Sequence, residues 1–120
     1  MNEDLKNEDR IQAECSTWFW NYYPSQRRML FHVNNKAKNQ IEGAKFKAMG
    51  VVKGVSDLCL ICPNGGMVWI EMKTPKGSQK KEQKDFQAKV EARGHWYVIK
   101  RTFEEFQALI IQIFGNPEIQ

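Results

Sequence analysis

The chain reads as an α/β domain with a mixed central β-sheet flanked by helices. Two observations predict this. Helical and strand-like apolar patterns alternate along 120 residues, in the order helix, strand, helix, strand, strand, helix, strand, helix. One pair of strands is separated only by the turn Pro63-Asn64-Gly65-Gly66, which makes an internal antiparallel hairpin, whereas the later strands are joined through helices. Seven Phe, four Trp and three Tyr in so short a chain, with 42% hydrophobic residues, supply a core and exclude disorder.

Residues 1–10 read as a polar N-terminal extension, frayed over 1–8, and residues 11–114 as a single domain. Ile11, Cys15, Trp18, Phe19 and Tyr22 recur at helical spacing, so Asp9 to Tyr22 is an amphipathic helix that ends near Pro24. Met29 to Val33 is a short strand closed by Asn34-Asn35, and Lys38 to Met49 is helical with a weak apolar stripe of Ile41, Ala44, Lys45 and Ala48. Gly50 to Ser56 is a connection in which Gly54 serves a turn or a close approach of backbone or substrate. The hairpin strands cover about 57–62 and 67–73, and Thr74-Pro75-Lys76-Gly77 breaks the second. A helix from Ser78 or Lys80 to Arg93 buries Phe86 and Val90 and stops at Gly94. Trp96 to Lys100 is the last strand. Thr102 and Glu105 form a capping box for a helix that buries Phe103, Phe106, Ile110 and Ile113.

The net charge of +4 is unevenly spread. Residues 1–14 carry five acids against two bases, residues 27–53 seven bases against Glu42 alone, and residues 73–84 five lysines against Glu82. Basic segments on both sides of an acidic hairpin suit a polyanion, and Lys36, Lys38, Lys53, Lys76, Lys80 and Lys81 are the candidate phosphate contacts. No apolar stretch approaches the roughly 20 residues of a membrane span, and the charged N-terminus is not a signal peptide, so a cytoplasmic location without membrane partners is expected. Cys15, Cys59 and Cys62 are an odd set for a disulfide framework. Cys59 and Cys62 lack a second ligand pair at zinc spacing, so the cysteines read as small buried strand residues.

Chemistry concentrates in the hairpin. Side chains i and i+2 of a strand share a face, so Glu71 and Lys73 project together while Met72 turns into the core. Folding about residue 64 sets Asp57 opposite Glu71, with Cβ atoms about 4.5–5.5 Å apart. Two carboxylates that close repel unless a proton or a cation intervenes. Asp57, Glu71 and the backbone carbonyl of Met72 are hard oxygen donors suited to Mg²⁺ or Mn²⁺. Lys73 beside them can orient water and offset charge on a phosphorane-like transition state. His32 and Asn34, at the end of the first strand, read as packing or surface residues.

Gly54-Val55-Ser56-Asp57, Trp69-Ile70-Glu71-Met72-Lys73, Lys76-Gly77-Ser78 with Gln83 and Phe86, and Gly94 before Trp96-Tyr97-Val98-Ile99 together resemble the VRR-NUC branch of the PD-(D/E)XK, restriction-endonuclease-like nucleases, over residues 11–112. The resemblance implies a restriction-endonuclease-like fold and a Mg²⁺- or Mn²⁺-dependent endodeoxyribonuclease. It makes Asp57 and Glu71 metal-binding acids, Lys73 the catalytic lysine, Glu14 a first-helix acid near the metal, and Gln83 a helix glutamine close to the site. It also implies branched or junction DNA as substrate, a homodimer, and a role in recombination, repair or phage replication, with the host cytoplasm as the location of a phage-encoded member. Lys80 departs from the pattern, because a small capping residue is expected before Gln83. A non-cleaving DNA-binding or assembly module on the same fold, or an RNA endonuclease, are the alternatives.

Overall fold

The computed structural model describes the backbone of residues 2–120 and the side chains of residues 7–120. Helix α1 (Asn2–Tyr22) and a 3₁₀ turn (Pro24–Gln26) lead into β1 (Leu30–His32) and α2 (Gln40–Ala48). The hairpin strands are β2 (Leu58–Ile61) and β3 (Met67–Met72), followed by α3 (Lys81–Ala92), β4 (Trp96–Lys100) and α4 (Phe103–Phe114). The predicted order of elements holds throughout. The first helix extends further than the apolar spacing indicated, since its backbone is already helical at Asn2 rather than frayed to residue 8. Glutamate, leucine and lysine in that stretch of the sequence are good helix formers.

The four strands lie in the order β1-β2-β3-β4. The first two pairings are antiparallel, and β3 pairs parallel with β4 through the α3 crossover, so the sheet is mixed. In the hairpin turn Gly65 has φ +89°, and the Gly66 amide donates to Asn64 Oδ1 at 2.9 Å. That tight turn fixes Leu58 opposite Ile70 and Cys59 opposite Trp69.

Alternation divides the sheet between two helical layers. Leu58, Leu60, Val68, Ile70 and Met72 face α1 and α4, and pack with Cys15, Phe19, Phe106, Leu109 and Ile110. The Tyr23 hydroxyl donates to the Gly115 carbonyl at 2.8 Å, which ties the end of α4 to the end of α1. On the opposite face Trp69 meets Phe86 of α3 edge to face at 5.2 Å, and Phe86 leans on Tyr97. Cys15 and Cys59 are buried and Cys62 is half-buried. No helix among the described residues is long and apolar enough to cross a membrane.

Three local expectations shift. The α3 helix begins at Lys81 with Lys80 as its cap residue, and the Lys80 amide donates to Gln83 Oε1 at 2.8 Å. A lysine side chain has no acceptor, so Gln83 supplies the cap from inside the helix. At α4 the Thr102 hydroxyl accepts from the Glu105 amide as expected, but Glu105 reaches past Thr102 to the amide of Arg101. In α2, capped by Asn39 onto the Glu42 amide, no residue is buried and Ile41 is 84% exposed. Its weak apolar stripe has no partner surface to cover.

Gly54 fulfils both readings, a turn position and a close approach of backbone. It has φ +87°, and a Cβ added there would fall on the backbone carbonyl of Glu82 in α3. The strand-leading segment that carries Asp57 is thereby seated on the first turn of α3. Gly54→Ala must adopt a disfavoured conformation, at about 1–3 kcal/mol, and also push α3 away. Denaturant unfolding is expected to show a loss at or above that range; a loss of only a few tenths would contradict this packing.

Candidate active site

Strand pairing continued by one residue from Leu58–Ile70 sets Asp57 beside Glu71, and both are almost wholly covered, at 7% and 1% exposed. Asp57 is fixed through both of its polar ends. Its Oδ2 accepts from the Met72 amide at 2.8 Å, and its carbonyl accepts from the Val33 amide at 2.9 Å. His32 Nδ1 lies 2.9 Å from the same carbonyl and 3.0 Å from Gln12 Nε2, and the exposed ring lines a neighbouring hollow with Asp9 and Lys36.

Glu71 is surrounded by donors. Gln83 Nε2 donates to Oε2 at 2.9 Å, Lys73 Nζ stands 3.7 Å from the same oxygen, and the Tyr97 hydroxyl donates to Oε1 at 3.2 Å. Burial, and next the charge of Asp57, nevertheless push the Glu71 carboxyl up to about 8, against the pull of Lys73. Covered from water and facing a like charge, Glu71 takes up a proton more readily than an ordinary glutamate. Lys73 is itself only 6% exposed, and its amide donates to the Lys100 carbonyl of β4 at 3.1 Å.

Asp57 opens onto a groove of about 570 Å³ whose lining also includes Lys73, Gln83, Lys36, Lys53 and Lys80, while Glu71 lies behind it, covered. Thus three of the six candidate phosphate contacts border the same groove as Asp57. Lys38, Lys76 and Lys81 are exposed but lie outside its lining. Met72 is buried in the core, which leaves only its backbone to turn toward the acids.

Glu14 is not among the groove residues. It is exposed and lines a separate hollow with Arg10, Thr17 and Trp18. The acids that α1 does bring to the groove are Asp9, exposed, and Glu8, half-buried, whose carboxyl is raised first by burial and then by the charge of Asp57. The helical angle explains the correction. Glu8 precedes Cys15 by seven residues, two turns, and so continues the inward stripe, whereas Glu14 sits about 100° around the helix from Cys15.

Tyr97 was also not a candidate from sequence. Its place depends on the parallel register Trp69–Tyr97, which puts it on the same face as Glu71, and nothing in the chain announces a parallel register. Arg101 is a further unanticipated support. Its Nη1 donates to the carbonyls of Thr74 at 2.8 Å and Gly77 at 2.5 Å, bracing the loop that follows Lys73. Among the described residues no three His, Cys, Asp or Glu side chains form a ready-made metal cage. The oxygen donors at hand are the Asp57 and Glu71 carboxylates and the Met72 backbone.

No protein-family model matches the sequence, and no curated protein does. The likeness lies in the fold. A solved structure described as "VRR_NUC domain protein" superposes with a TM-score of 0.72 at 20% identity, covering 95% of this chain and 93% of that one. Another, described as "VRR_NUC domain", superposes at 0.58 with 18% identity, over 87% of this chain and 94% of that one. The chain therefore shares the fold of these VRR_NUC domain structures, a mixed sheet flanked by helices.

The raised Glu71 carboxyl carries a pH signature. A folded state that holds this proton more tightly than the unfolded chain is favoured below the ordinary glutamate value of 4.5 and loses that contribution as pH climbs through about 8. In metal-free protein the Tm of the wild type is expected to fall relative to Glu71→Gln between pH 5 and 8. Parallel Tm profiles for the two proteins would show that Glu71 is not held protonated.

Proposed function

We propose that this chain is a divalent-metal-dependent phosphodiesterase that cuts DNA. The observation that carries the reading is the meeting of Asp57, Glu71 and Lys73, with Asp57 and Lys73 lining a groove bordered by Lys36, Lys53 and Lys80 and Glu71 covered beside them. The donor set suits Mg²⁺ or Mn²⁺. These hard ions commonly take one or two carboxylates and complete their shell with water and substrate phosphate, so a pair of acids without a third is sufficient. A cation between Asp57 and Glu71 would also relieve the like-charge repulsion that otherwise retains a proton there. Such an ion lowers the pKa of bound water and polarises the scissile phosphate.

The chain's own groups supply the rest. The Met72 amide holds Asp57 at a set angle, and Gln83 holds Glu71 from the first turn of α3. The Lys73 ammonium, kept nearly dry, orients the attacking water and offsets negative charge that builds on the phosphate oxygens. Lys36 and Lys53 stand at the two ends of the segment containing α2, and Lys80 stands at the head of α3. The three attach phosphates to either side of the acids. Branched or junction DNA as the preferred substrate, and action as a homodimer, complete the proposal on the strength of the motif resemblance.

The test is incubation of purified protein with labelled duplex, flap, single-stranded and four-way-junction DNA, and with matched RNA, with Mg²⁺, Mn²⁺ or EDTA. Metal-dependent internal cuts in DNA are expected, fastest on branched forms; no cleavage on any substrate would overturn the reading, and equal cleavage of RNA would revise the substrate.

Asp57→Ala and Lys73→Ala are each expected to lower cleavage at least about 10²-fold while DNA binding in EDTA is retained. Full activity in both would remove the assigned roles. Lys53→Ala and Lys80→Ala are each expected to weaken binding evenly across sequences and to reduce the slope of log K against log salt by about 1. Unchanged slopes in filter-binding or anisotropy titrations would take these lysines out of the interface.

A further inference from the structure

The donors that hold Glu71 are themselves held, one step further from the groove. Tyr97 is 7% exposed, and its hydroxyl has two neighbours, Glu71 Oε1 at 3.2 Å and Gln79 Nε2 at 3.3 Å. An amide nitrogen only donates, so the Tyr97 oxygen accepts from Gln79, and its single hydrogen is left for Glu71. Gln79 cannot swap its amide without loss, because the same Nε2 donates to Gln87 Oε1 of α3 at 2.9 Å. The other carboxylate oxygen is set the same way. Gln83 Oε1 is committed to the Lys80 amide, which turns Nε2 toward Glu71 Oε2.

We propose that Tyr97 is a positioning residue for Glu71, with its hydroxyl hydrogen aimed by Gln79, and that this chain sets how tightly the acid pair grips a divalent cation. The proposal rests on the metal reading given above. Each Glu71 oxygen is tethered from the α3 and β4 side, so the carboxylate cannot swing away from Asp57. Its remaining lone pairs stay on the side where the two acids meet. Gln79 serves only the acceptor side of that hydroxyl, and its hydrogen finds its acceptor in Glu71. The second bond to Glu71 is what gives Tyr97 a role at the site. Hydrogen bonds behind a ligand carboxylate are typically worth about 10- to 100-fold in metal affinity.

Calorimetric titration of DNA-free protein with Mn²⁺ separates positioning from packing. Tyr97→Phe keeps the ring against Phe86 and removes only the hydroxyl; it is expected to weaken Mn²⁺ binding by about 10- to 100-fold. Gln79→Leu leaves the hydroxyl in place but unaimed, and is expected to weaken binding in the same direction by less. A purely structural tyrosine would lower the Tm of the metal-free protein and leave the affinity of the folded fraction alone. Mn²⁺ affinity within twofold of wild type in Tyr97→Phe would overturn the proposal and leave the phosphodiesterase reading standing. Wild-type protein that binds no Mn²⁺ would overturn both. Should Tyr97→Phe not fold, unchanged affinity in Gln79→Leu overturns the positioning role by itself.

Discussion

Two carboxylates set face to face on neighbouring strands, out of reach of water, are an unfavourable arrangement for any protein to build. Either acid alone could be solvated or paired. Together they raise each other's cost, and Glu71 responds by holding a proton far above the ordinary range of a glutamate. The surrounding structure accepts that cost and holds the geometry anyway. A glycine-bearing turn fixes the register, a backbone amide clamps Asp57, and Gln83, Tyr97 and Lys73 converge on Glu71. Met72, between Glu71 and Lys73 at the end of β3, is buried in the core, so the strand cannot slip by one position without exposing it.

The same arrangement explains why the rest of the fold is placed as it is. Helices α1 and α4 cover one face of the sheet with a continuous apolar core. The other face is shared between the aromatic contact of Trp69 with Phe86 and the acid pair two residues along the strand. Gly54 seats the segment that leads to Asp57 directly on α3, while Gln83 leads from α3 back to Glu71. The first turn of α3 is therefore braced against both acids, and one helix controls their spacing.

Much of this was legible in the chain because it depends on short-range rules. Strand alternation and a two-glycine turn suffice to bring Asp57 to Glu71 and to turn Met72 inward. Periods and breakers suffice for the order of elements. What could not be read depends on long-range register or on the exact angle around a helix. Tyr97 reaches Glu71 only through a parallel pairing formed across a crossover helix. The first-helix acid was assigned to Glu14 by motif, although the angular distance from Cys15 favours Glu8. The outward stripe of α2 shows the converse limit, since weak amphipathicity does not say whether a surface exists to receive it.

The central claim is that Asp57 and Glu71 are built to share a divalent cation rather than a proton. Its most direct test is a crystal structure of the wild-type protein grown with Mn²⁺, with the ion located by its anomalous scattering. The account predicts one strong peak bridging the two carboxylates, within about 2.2 Å of an oxygen from each. No peak between them at saturating Mn²⁺, with the two acids still in hydrogen-bond contact, would contradict it.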